Sequence, residues 1–170
     1  MKKFLLFAIL IISQEFYCQE DVFSISRNGT SKEMELYLSK NPKSIENRNE
    51  NGFTPLILAS YRGNISVVKI LLENGASINA KSDMGTALMA SAVKGNIEIT
   101  QFLLEKKADP NIADTNGNTA LIYAVQFQNI AILKLLLDFK ADKLLKDKSG
   151  KTAFEYAVFS GNELLINLLK

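Results

Sequence analysis

Apolar residues after residue 50 recur in blocks with helical spacing, and the blocks themselves repeat along the chain. In the first block, Ile65, Val68 and Leu71 follow one another at intervals that place them on one side of a helix. Similar apolar blocks occupy residues 97–104 and 130–137, and polar residues and glycines separate them. The pattern predicts a series of short amphipathic helices. None of them can bury its apolar stripe alone, so neighbouring helices must stack.

Threonines mark the period of this repeat. Thr54, Thr86, Thr119 and Thr152 each begin a similar segment, and they are separated by 32, 33 and 33 residues. A threonine can cap the free N–H groups at the start of a helix. Pro55 suits the first helical position because no intrahelical hydrogen bond is lost there. We therefore expect a first helix to begin directly after each threonine.

Glycine and asparagine mark the middle of each unit. We expect the first helix to end at a glycine in the left-handed conformation and the second helix to begin at the asparagine that follows. These positions are Gly63, Gly95 and Gly161, and then Asn64, Asn96, Asn129 and Asn162. Gln128 replaces one such glycine, and Lys107 and Lys140 stand at the position equivalent to Gly75. If these three residues are left-handed, each costs about 1 kcal/mol.

The arrangement resembles the ankyrin repeat family, whose unit is a turn followed by two antiparallel helices. The resemblance rests on segments such as Gly-Phe-Thr-Pro-Leu at 52–56, Gly-Asn-Ile at 63–65 and Asn-Gly-Ala at 74–76. It implies an all-α fold, a solenoid of about five helix-turn-helix units within residues 19–170. The expected units are a degenerate first unit at 20–49, repeats at 50–81, 82–113 and 114–146, and a C-terminal capping repeat at 147–170.

Two departures from the family pattern bear on the structure. The histidine that usually follows Thr-Pro-Leu is Ile57, Met89, Ile122 or Glu155 here, so the hydrogen bonds that it makes between turns must be replaced or absent. The second unit lacks one residue before Thr86, which predicts a shorter turn.

The first unit is irregular in sequence, as terminal units of such arrays often are. We expect its first helix at residues 22–27, a turn at Asn28 and Gly29, and its second helix at residues 32–39. Pro42 should end that second helix because proline cannot continue one.

Residues 1–18 differ in composition from the repeats. Lys2 and Lys3 precede nine consecutive apolar residues, Phe4 to Ile12, which is the pattern of a secretory signal peptide. The apolar run falls short of the roughly 20 residues that span a membrane. Cleavage after Cys18 would release a small exported protein of bacterial type into the periplasm or the medium. Lipidation of Cys18 and an uncleaved anchor are the alternatives.

The composition removes several classes of chemistry. The 170-residue chain has no histidine and one cysteine, so it lacks Ser-His and Cys-His nucleophilic pairs, histidine-bound zinc and an internal disulfide. A formal net charge of +2 gives no strong attraction to nucleic acid. The lysine-rich stretch 140–151 has no interleaved aromatic residues. We therefore expect no cofactor, no metal and no nucleic-acid partner.

Acidic residues are the remaining candidates for catalysis. Five aspartates between residues 109 and 147 could suggest a calcium site, but they lack the alternating pattern of a calcium loop, so we expect solvated turn and cap residues. They are Asp109, Asp114, Asp138, Asp142 and Asp147. Glu33, Glu35 and Glu155 have no partner group in the sequence. We expect no enzymatic activity. The alternative of a different class is a carboxylate-based hydrolase that uses Glu50 and other acidic groups in a groove.

The family resemblance implies a partner protein on the concave surface, which the turn tips and the ends of the first helices form. The matching turn positions are Glu50, Asn51, Phe53, Met84, Thr115, Asn118, Lys148, Ser149 and Lys151. The matching helix ends are Tyr61, Arg62, Val93, Lys94, Gln126, Phe127, Phe159 and Ser160. Tyr61, Phe127 and Phe159 have the composition of interface hot spots. Phe53 is expected at a turn tip where the fold does not need a large apolar group.

The sequence thus favours a noncatalytic protein-binding module that is monomeric on its own and does not insert stably into a membrane. An inhibitor or immunity protein and a scaffold for an exported enzyme fit the sequence equally well. A structural part of an envelope assembly is a further alternative, and it predicts self-association.

Overall fold

The computed structural model describes residues 21–170, and these residues form ten α-helices and no strand. The helices are α1 Val22–Asn28, α2 Ser31–Lys40, α3 Pro55–Arg62, α4 Ile65–Glu73, α5 Ala87–Lys94, α6 Ile97–Glu105, α7 Ala120–Gln126, α8 Ile130–Asp138, α9 Ala153–Ser160 and α10 Glu163–Leu169. A short 3-10 helix spans Pro42–Glu46. The predicted signal peptide, residues 1–18 with Cys18, lies outside the described residues. Within the described residues, every helix is too short or too polar to cross a membrane.

The helices pack as consecutive pairs that stack along one direction. Each odd-numbered helix contacts its own even-numbered partner, the odd-numbered helices contact one another in series, and the even-numbered helices do the same. One continuous apolar core runs between them, with Leu56, Leu88 and Leu121 as fully buried members from successive units. The predicted all-α solenoid is therefore confirmed.

The predicted helix signals are confirmed at most positions. Thr54, Thr86, Thr119 and Thr152 each accept a hydrogen bond from a backbone N–H three residues later. Gly63, Gly95 and Gly161 end first helices with left-handed backbone, as expected. Asn96 is the N-cap residue of α6, as expected, but its side chain makes no cap hydrogen bond and instead donates through Nδ2 to the Ser60 carbonyl at 3.1 Å. It ties two units together.

Three residues other than glycine adopt the left-handed conformation. The φ angles are +67° at Lys107, +51° at Gln128 and +61° at Lys140. The condition considered from the sequence is therefore met, and the chain keeps the left-handed conformation at these positions in spite of the Cβ atom.

The turn before the second repeat is one residue shorter than the others. In three repeats the turn is closed by an N–H that donates to the carbonyl four residues later, as from Asp114 to Asn118 at 2.9 Å. The second repeat closes its turn over three residues, from the Ser82 N–H to the Gly85 carbonyl at 2.9 Å. The predicted shortening is therefore confirmed.

Polar side chains join consecutive units in the segments that follow the second helices. The bonds run from Ser77 N to Glu46 Oε1 at 2.6 Å, from Asp109 N to Asn79 Oδ1 at 3.0 Å and from Asp142 N to Asn111 Oδ1 at 2.7 Å. The Arg48 Nη1 donates to the carbonyls of Gly52 and Lys81 at 2.8 and 2.9 Å. At the family's histidine positions, Ile57, Met89 and Ile122 are buried apolar residues and Glu155 caps its own helix, so the histidine bonds are absent there.

The two ends of the described solenoid differ from its middle. The first-unit helices α1 and α2 extend one or two residues beyond the predicted 22–27 and 32–39, and Pro42 begins the short 3-10 helix after α2 has ended. In the last unit, exposed Glu155 occupies the position at which Ile57, Met89 and Ile122 are buried between units.

Candidate functional site

Three aromatic side chains at the ends of first helices are exposed. Tyr61 is 42 % exposed, Phe127 56 % and Phe159 73 %. Tyr61 and Phe159 lie seven residues after their threonines, and Phe127 lies eight residues after its own. Tyr61 and Phe159 therefore occupy equivalent positions in the first and fourth repeats, whereas Phe127 lies one residue later, directly after α7 in the third repeat.

Lysine ammonium groups lie over two of these rings. The Nζ of Lys94 is 4.9 Å from the ring centroid of Tyr61 in the preceding unit, and the Nζ of Lys151 is 4.8 Å from that of Phe159. A cation over an aromatic face at this distance is attracted to it. At exposed sites such a pair contributes about 0.5–1 kcal/mol, and each pair joins two residues that the sequence assigned to the binding surface.

Four of the predicted binding residues meet in one pocket of about 300 Å³. They are Phe53, Tyr61, Arg62 and Met84, and the remaining walls are Arg27, Ile57, Leu58 and Ala90. Phe53 is half-buried and packs against the core, so the expectation that it is a tip residue without a packing role was wrong. Ile57, Leu58 and Ala90 escaped the sequence analysis because their spacing marks them only as helix residues.

The other predicted residues are more dispersed. Exposed side chains are found at Glu50, Asn51, Lys94, Gln126, Lys148, Ser149 and Ser160, whereas Val93 and Lys151 are half-buried. Thr115 donates both its N–H and its hydroxyl to the Asp83 carbonyl, at 3.2 and 2.7 Å, and so joins two turns. Asn118 is half-buried, and its Oδ1 has no hydrogen-bond partner among the described residues.

Two aspartate–tyrosine pairs inside the turns were missed by the sequence analysis. The Tyr123 hydroxyl donates to Asp114 Oδ2 at 2.5 Å, and the Tyr156 hydroxyl donates to Asp147 Oδ2 at 2.5 Å. Asp114 is buried and also accepts from two backbone N–H groups, so its assignment as a solvated turn residue was wrong. The signal was present in the sequence, because both pairs have the same spacing of nine residues.

The protonation of these pairs follows from their surroundings. Burial, together with the hydrogen bond to Asp114, raises the pKa of Tyr123 to about 12. The hydrogen bond to Asp147 raises the pKa of Tyr156 as well, and the same bond lowers the pKa of Asp147. The tyrosines stay neutral and the carboxylate stays charged at neutral pH, so these groups stabilise turns.

Two of the three glutamates considered as acids or bases, Glu33 and Glu155, serve as helix caps. Glu33 accepts from the backbone N–H and the hydroxyl of Thr30, and Glu155 does the same with Thr152. The backbone hydrogen bond lowers the pKa of each glutamate below its ordinary value. A general acid needs a raised pKa at neutral pH. Among residues 21–170, no three acidic side chains lie close enough to hold a metal ion.

Comparison with known sequences bears on the fold and on the surface. A family model described as ankyrin repeats, in three copies, matches residues 23–114 and 107–170. Among curated proteins, the delta-latroinsectotoxin-Lt1a of Latrodectus tredecimguttatus is 38% identical over 60 residues, which is 35% of this chain and 5% of the toxin. The E3 ubiquitin-protein ligase MIB2 of Gallus gallus is 43% identical over 56 residues, which is 33% of this chain and 6% of the ligase. The chain thus spans a small fraction of these relatives.

Proposed function

Because the chain belongs to the ankyrin repeat family, we propose that it is a noncatalytic protein-binding module whose partner lies on the surface formed by its turn tips and first-helix ends. Ankyrin repeats imply a protein partner, and a repeat stack offers a preformed surface that loses little conformational entropy on binding. The two relatives match this chain over only 5% and 6% of their own length, so their activities do not transfer to it.

The observation that carries the proposal is the set of exposed rings Tyr61, Phe127 and Phe159. A folded domain gains nothing for its own stability by leaving large rings in water, and aromatic residues surrounded by polar groups are typical of interface hot spots. Lysines over two of the rings keep them ordered before a partner arrives, which reduces the entropy cost of association.

A quantitative pull-down tests this proposal. The purified protein serves as bait for the envelope fraction and the medium of the source cell, beside a variant with Tyr61, Phe127 and Phe159 replaced by serine. We expect one protein to be enriched by the parent protein and not by the variant. Because all three rings are exposed, the helix content and unfolding midpoint of the variant should stay close to those of the parent.

A matched control replaces exposed residues on the second helices. Lys134→Ser in α8 and Glu98→Ser in α6 alter side chains that are exposed away from the first-helix ends, so they should retain the partner. A partner that is captured equally by the parent and the triple-serine variant would place the binding surface elsewhere. Loss of helix content in the triple variant would show that the rings belong to the core.

We place this activity in the periplasm or outside the cell, on the signal-like pattern of residues 1–18. Amino-terminal sequencing of the protein recovered from the source cell tests the placement. An amino terminus at or near Gln19 would support export, whereas an intact Met1 would contradict cleavage. If the captured partner is an enzyme, competitive loss of its activity identifies an inhibitor or immunity protein, and maintained activity identifies a scaffold.

One observation favours the second candidate, a structural part of a larger assembly. Val158 is 51 % exposed, whereas Val125, Ala92 and Ser60 are fully buried at the equivalent position in the preceding units. The outer face of the last described unit therefore carries an apolar residue that a further subunit can cover. Sedimentation of the purified protein tests this candidate, because concentration-dependent association abolished by Val158→Lys is expected only for the assembly.

A further inference from the structure

The pocket between the first two repeats is suited to one kind of occupant. Its volume of about 300 Å³ lies at the lower end of the range for small-molecule sites, so it fits one bulky side chain better than a cofactor. Ile57, Leu58 and Ala90 supply apolar walls, and exposed Met84 forms a flexible rim.

Two departures from the repeat create this pocket. Ala90 lies four residues after its threonine, and Leu58, Tyr123 and Tyr156 occupy that place in the other repeats. The turn beside Ala90 is also the shortened one. A small side chain and a short turn in the same unit leave the space that Tyr123 fills in the next unit.

Arginines are concentrated at this pocket. The chain has three arginines among its twenty basic residues, and two of them, Arg27 and Arg62, line the pocket. The third, Arg48, is used in the structure, since it donates to two carbonyl groups. Among the described residues, neither Arg27 nor Arg62 donates a side-chain hydrogen bond. A guanidinium group offers a rigid fork that pairs with a carboxylate through two hydrogen bonds.

A role at helix ends does not account for the choice of arginine. Arg27 and Arg62 lie in the last turns of α1 and α3, where any cation is favoured by the helix dipole. Lys94 occupies the corresponding place in α5. The helix end therefore accepts lysine, which is the common basic residue of this chain.

We propose that this pocket receives a bulky apolar side chain from an acidic segment of the partner protein, and that carboxylates beside that side chain pair with Arg27 and Arg62. The inference rests on the protein-binding function proposed above and names the chemistry of the partner. The net charge of the chain is only +2, so selectivity for acidic segments comes from these two groups and not from the protein as a whole.

Titration with defined peptides tests the proposal. The probe is the N-acetylated, C-amidated pentapeptide Glu-Glu-Phe-Glu-Glu, and the comparison peptides replace its four glutamates by glutamine or its phenylalanine by alanine. Methyl NMR signals of Ile57, Leu58 and Ala90 report on the pocket, and the buried Leu136 serves as a remote reference. We expect saturable shifts at the pocket, with both comparison peptides binding at least about tenfold more weakly.

Variants separate the charge from the cavity. Arg27→Gln with Arg62→Gln should weaken the glutamate peptide to the level of the glutamine peptide, and Lys134→Gln is the matched control that should change nothing. Ala90→Leu keeps the wall apolar and fills the space, so it should abolish the shifts of Ile57 and Leu58 with every peptide. The unchanged remote methyl spectrum shows that each variant is folded; if Ala90→Leu fails to fold, the arginine variant decides alone.

Several results would overturn the proposal. Equal affinity of the glutamate and glutamine peptides would contradict carboxylate recognition by the arginines. An absence of saturable pocket shifts up to about 10 mM peptide would contradict binding of an apolar side chain in the pocket. A partner captured by the parent, lost by the triple-serine variant and kept by the double arginine variant would leave the binding module standing and refute only this pocket. A partner that the triple-serine variant still captures as well as the parent does would refute the binding surface itself.

Discussion

Gln128 holds a left-handed backbone conformation that glycine adopts at lower cost, so Gln128→Gly should stabilise the protein. Its φ is +51°, whereas Gly63 and Gly95, at the equivalent positions, have φ of +80° and +73°. A residue with a Cβ in this region costs about 1–2 kcal/mol. Glycine also lowers the free energy of unfolding by about 0.5–1 kcal/mol, because it has more conformational freedom in the unfolded chain, and this offsets part of the gain. The net stabilisation is therefore about 0.5–1 kcal/mol.

The side chain of Gln128 contributes little that would offset this gain. It is exposed, and its Oε1 accepts one long hydrogen bond of 3.4 Å from Asn162 Nδ2. It also carries no charge that could interact with the end of α7. Lys107 and Lys140, at the other two left-handed sites, are charged and follow the ends of α6 and α8. The change in stability on Gln128→Gly therefore reports mainly on the free-energy cost of the left-handed backbone.

Urea unfolding followed by circular dichroism measures the effect. We expect the midpoint to rise by about 0.2–0.5 M without a change in the m value. Gln128→Ala removes the Asn162 contact and keeps the Cβ, so it should give no gain. Gln101→Gly is the matched control, because Gln101 is exposed within helix α6 and glycine there should cost about 1 kcal/mol. If Gln128→Gly lowers stability as Gln101→Gly does, the strain assigned to Gln128 is absent.

Three further predictions test the turns and the caps. Gly117→Ala should cost about 1–3 kcal/mol more than Gly150→Ala in urea unfolding, since a Cβ on Gly117 would lie 2.9 Å from the backbone of Asp147 whereas none of the protein lies within 4 Å of one on Gly150; equal costs would contradict the close packing of the turns. The neutral form of Tyr123 is favoured in the folded state, so its contribution to stability should be complete below pH 10 and lost as the pH rises toward about 12; tyrosinate absorbance should show a late component near pH 12 that disappears in Tyr123→Phe, while the raised titration of Tyr156 is retained. The lowered pKa of Glu155 has the opposite sign, so its contribution should be present above its ordinary pKa and lost as the pH falls through the folded value; acid unfolding of Glu155→Gln should lack this component, and identical acid profiles would contradict the capping role.

The repeat architecture could be predicted from the sequence because its signals are local. Thr54 caps a helix, Gly63 ends it and the apolar stripe from Ile65 to Leu71 packs on the next unit, and each of these roles depends on residues close in the chain. The same local logic predicted the left-handed glycines that end the first helices and the shortened turn. It failed for the side chain of Asn96, which bonds to a carbonyl in the preceding unit.

The aspartate–tyrosine pairs show why part of the turn chemistry could not be predicted from single motifs. Asp114 looks like an ordinary polar turn residue, and Tyr123 looks like one more aromatic residue of a helix. Their hydrogen bond of 2.5 Å becomes visible only when the turn is folded back onto the helix. The repeated nine-residue spacing, which Asp147 and Tyr156 share, was the one signal available in the sequence.

Several residues that line the pocket occupy positions at which the sequence departs from the repeat pattern. Arg27 belongs to the irregular first unit, Met84 to the shortened turn and Ala90 to a position where other units carry a larger side chain. In the following unit, Tyr123 fills the space that Ala90 leaves open. Lys94 occupies the helix-end position that is equivalent to Arg62. The recognition of an acidic partner segment that we propose accounts for these departures and the two arginines together.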